Sequence, residues 1–175
     1  RRGVAQRPLG VGASGDLTYE IDRVVETSIL KVFQKRFPKF FAVTEESGAL
    51  GSPKDRPIVL IDPVDGSTNA SHSIPLYSSS IAIADGERFE DILVAGVIDL
   101  VHDDVIIGGK GKGVFCNGRP ISPSHVNDLQ GAVISIDVRM KRGLPKIEEG
   151  VRALLTSIRH PRFLGSAALE TAYVA

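Results

Sequence analysis

The stretch "IVLIDPVDGSTN", Ile58 to Asn69, carries an apolar run into two aspartates, Asp62 and Asp65, and then into Gly66, Ser67, Thr68 and Asn69. Two like charges this close repel unless a cation lies between them. A second apolar run, Phe40 to Val43, ends at Glu45 and Glu46. If the two runs are neighbouring strands, Glu45 and Asp62 converge at one sheet edge and Asp65 adds a third carboxylate from the turn. Pro63 stiffens that turn and donates no backbone hydrogen bond, and the Val64 carbonyl supplies a neutral oxygen. Such a hard-oxygen set suits Mg²⁺ or Mn²⁺. Beyond it, Gly66 permits close backbone approach, and Ser67 to Asn69 can open a short helix whose free N–H groups bind phosphate. A cation site beside an anion site suits metal-assisted phosphoryl transfer to water. Each motif also has a plainer reading, as an Asp-Gly bend or as solvated acids at strand ends. Their convergence favours catalysis.

These residues need a frame to hold them. Ile21, Val24, Val25, Ile29, Val32 and Phe33 recur at helical spacing and predict a helix from Asp16 to Phe37. Asp16 or Thr18 would be its N-cap, and Asp22 would sit in the first turn, where the helix dipole favours negative charge. "GALGSPKDRP" reads as a loop. An antiparallel meander comes next, with strands at about Ser79 to Ala84, Leu93 to Asp99 and Val105 to Ile107, closed by a hairpin turning at Asn117-Gly118. A strand over Gly131 to Asp137, a helix over Lys146 to Ile158, a short strand and a helix opened by Ser166 complete the pattern. Antiparallel strands with helices segregated around them indicate a layered α+β domain. The composition shift between Ser122 and Gly131 divides the chain into an N-terminal metal-binding domain, residues 1–127, and the start of an α/β domain, residues 128–175.

Composition narrows the partners. A hydrophobic content of 42% with 24% charged residues excludes general disorder. Lysine plus arginine (21) balances aspartate plus glutamate (21), which gives no reason to expect nucleic acid or an anionic membrane. No apolar run approaches the roughly 20 residues of a membrane span. Cys116 is the only cysteine, so no internal disulfide can form and a reducing cytoplasm is the expected compartment. "GGKGKG" lacks the Lys-Ser or Lys-Thr of a Walker loop and reads as a hairpin. The chain does not begin with Met and stops at "SAALETAYVA" without a helix terminator, as if cut at both ends.

"DPVDGSTN" resembles the Asp-Pro-x-Asp-Gly-Thr/Ser-x-Asn signature of the inositol monophosphatase superfamily. "TEES", "GDLTYEID", "GKGVFCNGRPI" and "LGSAALETAYVA" are similar to further family segments in the expected order. "NASHSIPLYSSSIAIA", without an aromatic directly after Asn69, is most similar to archaeal members that hydrolyse both inositol monophosphate and fructose bisphosphate. The resemblance implies a layered αβαβα sugar-phosphatase fold, a cytoplasmic homodimer or homotetramer, and two or three Mg²⁺ ions, with Mn²⁺ as a substitute. Glu45, Asp62 and the Val64 carbonyl would hold one ion, Asp62 and Asp65 a second, and Glu45 a looser third. Asp22 and Ser67 would orient and deprotonate the attacking water. Gly66 and Ser67 would cradle the phosphate, and Gly165, Ser166 and Ala167 would meet the alcohol portion. Ser67 replaces the commoner Thr, "TEES" lacks the family's Gly, and the family's C-terminal aspartate segment does not occur in this sequence. Alternatives are an adenosine-phosphate nucleotidase of the same superfamily and a non-catalytic metal- or phosphate-binding regulator. A glycosidase is disfavoured by the lack of Trp and the 6% aromatic content.

Overall fold

The computed structural model describes residues 7–136 and 149–175. Its centre is an eight-stranded sheet containing β3 (Phe41–Thr44), β4 (Gly48–Leu50), β5 (Ile58–Asp65), β6 (Ser78–Ala84), β7 (Ile92–Asp99), β8 (Val105–Gly109), β9 (Gly113–Cys116) and β10 (Arg119–Ile121). The order across the sheet is β10-β9-β8-β7-β6-β5-β3-β4. β3 and β5 pair in parallel, and every other pairing in this sheet is antiparallel. Alternation explains the pattern: Val59 and Ile61 of β5 face the same side as Ile81 and Ile83 of β6. Helix α1 (Glu20–Arg36) lies on that side, and its Phe33 forms the core with Val59 and Ile61. Phe37 stacks on Phe33 at 5.9 Å and anchors the end of the helix. At the far edge, Asn117 and Gly118 both adopt positive φ, 49° and 77°, as the expected two-residue turn requires.

The helix is shorter at its start than its periodicity suggests. It begins at Glu20, with Tyr19 as N-cap instead of Asp16 or Thr18. The reason is tertiary: Leu17–Tyr19 forms β2, which pairs with β1 (Pro8–Val11) in a hairpin. Neither strand has the alternating pattern that would have announced it. Likewise, the glycine-rich stretch after Glu46 is not all loop, because Gly48–Leu50 folds back on β3 as β4. The "GGKGKG" segment is a hairpin between β8 and β9, as expected.

Two further strands, β11 (Val133–Ser135) and β12 (His160–Arg162), form a separate parallel sheet, with α3 (Glu149–Ser157) between them in the chain. Asp137, the end of the expected strand, and Lys146 to Glu148, the start of the expected helix, lie outside the described residues. Helix α4 (Ala167–Ala172) is opened by Ser166, as its sequence implies. The Ser166 and Ser78 hydroxyls meet at 3.2 Å, on the face of β6 opposite the one that carries Ile81. The sheet is therefore layered between α1 on one face and α4 on the other, and the layered α+β architecture holds. Among the described residues, no helix is long and apolar enough to cross a membrane.

Candidate active site

Register brings the acids together. Thr44 pairs with Ile61 in the parallel ladder, and the Glu45 amide donates to the Ile61 carbonyl at 3.1 Å. Glu45 thus stands beside Asp62, as the two apolar runs implied. The chain does not turn after Asp62, contrary to expectation. β5 continues to Asp65, with Asp62 opposite Ser80 and Asp65 opposite Ser78. Three steps along β5 match two along β6, so β5 bulges at Pro63-Val64, where the lack of an N–H on Pro63 is harmless. An unbulged strand would point residues three apart to opposite faces. The extra residue resets the alternation and brings Asp62 and Asp65 to the same face as Ser78 and Ser80.

Gly66 then takes φ of 89° as the N-cap of α2 (Ser67–Ser71). A side chain is excluded at Gly66, since a Cβ would lie 3.0 Å from both the Gly165 and Leu76 carbonyl oxygens. The short helix expected from "STN" therefore forms, packed against the strand that leads to Asp22. Asp22 is in the first helical turn of α1, and its Oδ2 accepts the Tyr19 amide at 2.6 Å. That is the helix-start role open to it from sequence. Its other oxygen does more.

Asp22 Oδ1 and Asp62 Oδ1 are buried without any hydrogen-bond partner. Asp22 is only 1% exposed, and burial pushes its carboxyl up to about 7. The charges of Glu46, Glu45 and Glu26 reinforce the rise, against the Tyr19 amide, which lowers it. Asp62 is pushed up to about 8, first by burial, then by the charge and direct contact of Glu45, and further by Asp65 and Asp22. Burial also raises Glu46, whose carboxylate accepts the Thr18 hydroxyl. Carboxyls in contact require a shared proton or an intervening cation. Two orphaned oxygens, with further carboxylates around both Asp22 and Asp62, fit a divalent ion chemically. Among the described residues, however, no three Asp, Glu, His or Cys side chains already close around one point as a ligand set.

Asp65 explains part of that openness. Its Oδ2 accepts the Ser166 hydroxyl at 2.6 Å and the Ala168 amide at 2.7 Å, which ties it to the start of α4. Ser166 is 1% exposed and commits its hydroxyl to this bond, so its side chain is not free for the alcohol contact expected of it. Val64 is buried within the bulge. Ser67 makes no hydrogen bond to Asp22 among the described residues. Four residues outside the expected set also shape the site. Glu26, buried in α1, accepts both the amide and the hydroxyl of Ser47, just after Glu45 and Glu46. Thr18 holds Glu46. Asn69 and Glu170 bind the Leu164-Gly165 backbone. Asn69 is visible within the "DGSTN" segment, and Glu170 within the helix that Ser166 opens. Their backbone partners, 95 residues away for Asn69 and five or six for Glu170, are not.

A mixed sheet layered between helices, with acids gathered where two parallel strands end beside a short helix, defines a layered α+β protein with a carboxylate-lined site. The chain belongs to the inositol monophosphatase family, whose family model matches residues 4–175. An inositol monophosphatase of Dictyostelium discoideum is 34% identical over 169 residues, covering 91% of this chain and 60% of that protein. The crystal structure of the extragenic suppressor protein suhB from Bartonella henselae superimposes with a TM-score of 0.83 at 29% identity, over 91% of this chain and 62% of that one. The structure of an inositol monophosphatase-fructose 1,6 bisphosphatase superimposes with a TM-score of 0.79 at 26% identity, over 99% of this chain and 64% of that one. The chain thus spans 60–64% of the length of these relatives.

Proposed function

We propose that the protein carrying this chain is a Mg²⁺-dependent phosphomonoesterase acting on small polyol or sugar phosphates, namely inositol monophosphate, fructose bisphosphate or both. The observation that carries the reading is the buried, unpartnered oxygens Asp22 Oδ1 and Asp62 Oδ1, with Glu45 beside Asp62 at the end of the parallel ladder. Family membership and the likeness to an enzyme described by both activities support the substrate class.

Glu45, Asp62 and the Val64 carbonyl would hold one ion, Asp62 and Asp65 a second, and Glu45 a looser third. Bound Mg²⁺ would neutralise phosphoryl charge and acidify a water molecule, chemistry that no side chain here supplies. Uncatalysed phosphate-monoester hydrolysis is slow enough that enzymes accelerate it up to about 10²¹-fold, so positioning must come from several groups at once. Asp22, with one oxygen fixed by Tyr19 and the other free, accepts the proton of the attacking water. Ser67, at the first position of α2, orients that water through its hydroxyl. The Gly66 and Ser67 amides hold the phosphate, and the Gly165–Ala167 backbone borders the alcohol. The protein is a cytoplasmic homodimer or homotetramer in this reading, and residues 1–127 and 128–175 belong to different domains.

Phosphate release by the full-length protein tests the proposal, with inositol monophosphate, fructose bisphosphate and phosphoadenosine phosphate offered with and without Mg²⁺. Release from the first two that is abolished by chelation is expected. Preference for the adenosine phosphate would point to a nucleotidase. No release from any substrate at saturating Mg²⁺ would leave only a binding role.

A further inference from the structure

The geometry points to Asn69 and Glu170 as a two-sided clamp that positions Asp65, a role that rests on Asp65 being a metal ligand as proposed above. Leu164 is gripped at both of its backbone groups. Its carbonyl accepts Asn69 Nδ2 at 2.7 Å, and its amide donates to Glu170 Oε1 at 2.9 Å. The same glutamate oxygen accepts the Gly165 amide at 3.1 Å, and the same asparagine nitrogen donates to the Leu76 carbonyl at 2.8 Å. Ser166 and Ala168 lie just beyond, and both donate to Asp65 Oδ2. The clamp therefore fixes where the start of α4 meets Asp65, far along the chain from it. Asp65 is left with one oxygen, Oδ1, without a hydrogen bond among the described residues.

The fit is close on both sides. A Cβ on Gly165 would meet Asn69 Nδ2 at 3.1 Å, and Gly165 itself adopts φ of 76°. Asn69 and Glu170 differ in which substitutions they tolerate. Asn69 faces two carbonyls and must donate, so aspartate cannot replace it. Glu170 faces two amides and needs only an acceptor oxygen, which glutamine also provides.

This asymmetry sets the test. In the full-length protein, Glu170→Ala and Asn69→Asp should each raise the Mg²⁺ concentration for half-maximal thermal stabilisation about tenfold, because each removes two hydrogen bonds that Asp65 feels only through the start of α4. Exchange of the Ala168 amide, measured without metal, should quicken by a similar factor, about tenfold. Glu170→Gln should stay close to wild type in both measurements. If Glu170→Ala merely lowers the melting temperature, leaving Mg²⁺ response and Ala168 exchange unchanged, the clamp is ordinary scaffolding and the inference is wrong. Equal damage from Glu170→Gln and Glu170→Ala would also overturn it. If wild type shows no Mg²⁺ response while Ala168 exchange keeps the expected order, the metal-site reading fails and the clamp on Asp65 stands.

Discussion

Replacing Ser166 by alanine probes the joint between α4 and the sheet. The hydroxyl is 1% exposed, donates to the Asp65 carboxylate at 2.6 Å and lies 3.2 Å from the Ser78 hydroxyl, which is itself fully buried. A hydrogen bond to a charged group contributes about 1.5–3 kcal/mol, and a buried polar atom left alone costs about 1–3 kcal/mol. Asp65 keeps the Ala168 amide, and Ser78 loses the one side-chain partner it has among the described residues. The expected loss for Ser166→Ala is therefore about 2–4 kcal/mol. For a domain of this size, that corresponds to a melting temperature lower by roughly 5–15 °C. The assay is thermal and urea unfolding of the full-length protein in chelator, with Ser78→Ala and the double variant completing a cycle. If the buried pair matters as argued, removing both hydroxyls costs less than the two single losses added together. A loss below about 0.5 kcal/mol for Ser166→Ala, or strict additivity with Ser78→Ala, would refute the reasoning.

Asp65→Asn keeps an acceptor for Ser166 and Ala168, so the fold should survive while Mg²⁺-dependent phosphate release disappears; full activity would remove Asp65 from the metal site. Gly66→Ala should cost at least about 2 kcal/mol, because positive φ and two carbonyls at 3.0 Å leave no room for a methyl, and unfolding midpoints would show it. Asp62→Asn should stabilise the metal-free protein by about 1–3 kcal/mol by relieving repulsion with Glu45, while abolishing stabilisation by Mg²⁺; lower stability without metal would contradict this. His102 is raised by its 2.8 Å hydrogen bond to buried Asp99, and the Asp99 carboxyl is lowered by His102 and two backbone amides despite its burial. A raised histidine stabilises below its unfolded value of 6.5 and loses that contribution as pH rises through the folded value, whereas a lowered aspartate loses its contribution only in acid. His102→Ala should therefore lower the melting temperature at pH 5 and have a fading effect above pH 8; an equal effect at both would rule the pair out.

The carboxylates proposed for the metal site are legible in the sequence because each sits where a local pattern breaks. Apolar runs stop at Glu45 and Asp62, and "DG" before "STN" announces a bend and a helix start. The hairpin at Asn117-Gly118 is legible for the same reason, since only a few residue pairs tolerate positive φ at both turn positions. β1 and β2 are not, because Pro8–Val11 and Leu17–Tyr19 carry no alternating stripe and are strands only through each other. That pairing also moves the start of α1 to Glu20. The bulge in β5 reads as a turn because Pro63 and Gly66 signal a break without saying whether the ladder resumes. It does resume at Asp65 opposite Ser78, and only pairing with a partner strand reveals that. Asn69 and Glu170 stay hidden because their partners lie 95 residues away or are backbone groups, which carry no sequence identity.

The choice between a reactive site and ordinary surface acids turns on solvent. Acids at strand ends are usually harmless because water satisfies every oxygen and screens every charge. Here water is excluded from two of those oxygens, Asp22 Oδ1 and Asp62 Oδ1. Asp22 is almost wholly buried, the neighbouring Glu45 raises the Asp62 carboxyl, and an oxygen of each aspartate has no donor. A sequence selected only for stability would replace such groups with apolar residues or amides, since a buried, unsatisfied carboxylate costs more than it returns. The bulge makes the point sharper: without its extra residue, Asp65 would turn to the other face and the crowding would ease. The backbone instead departs from regular pairing and thereby gathers the charge. A device that concentrates negative charge where it is hardest to bear is explained by a cation that relieves it, and Asp62→Asn measures that trade directly.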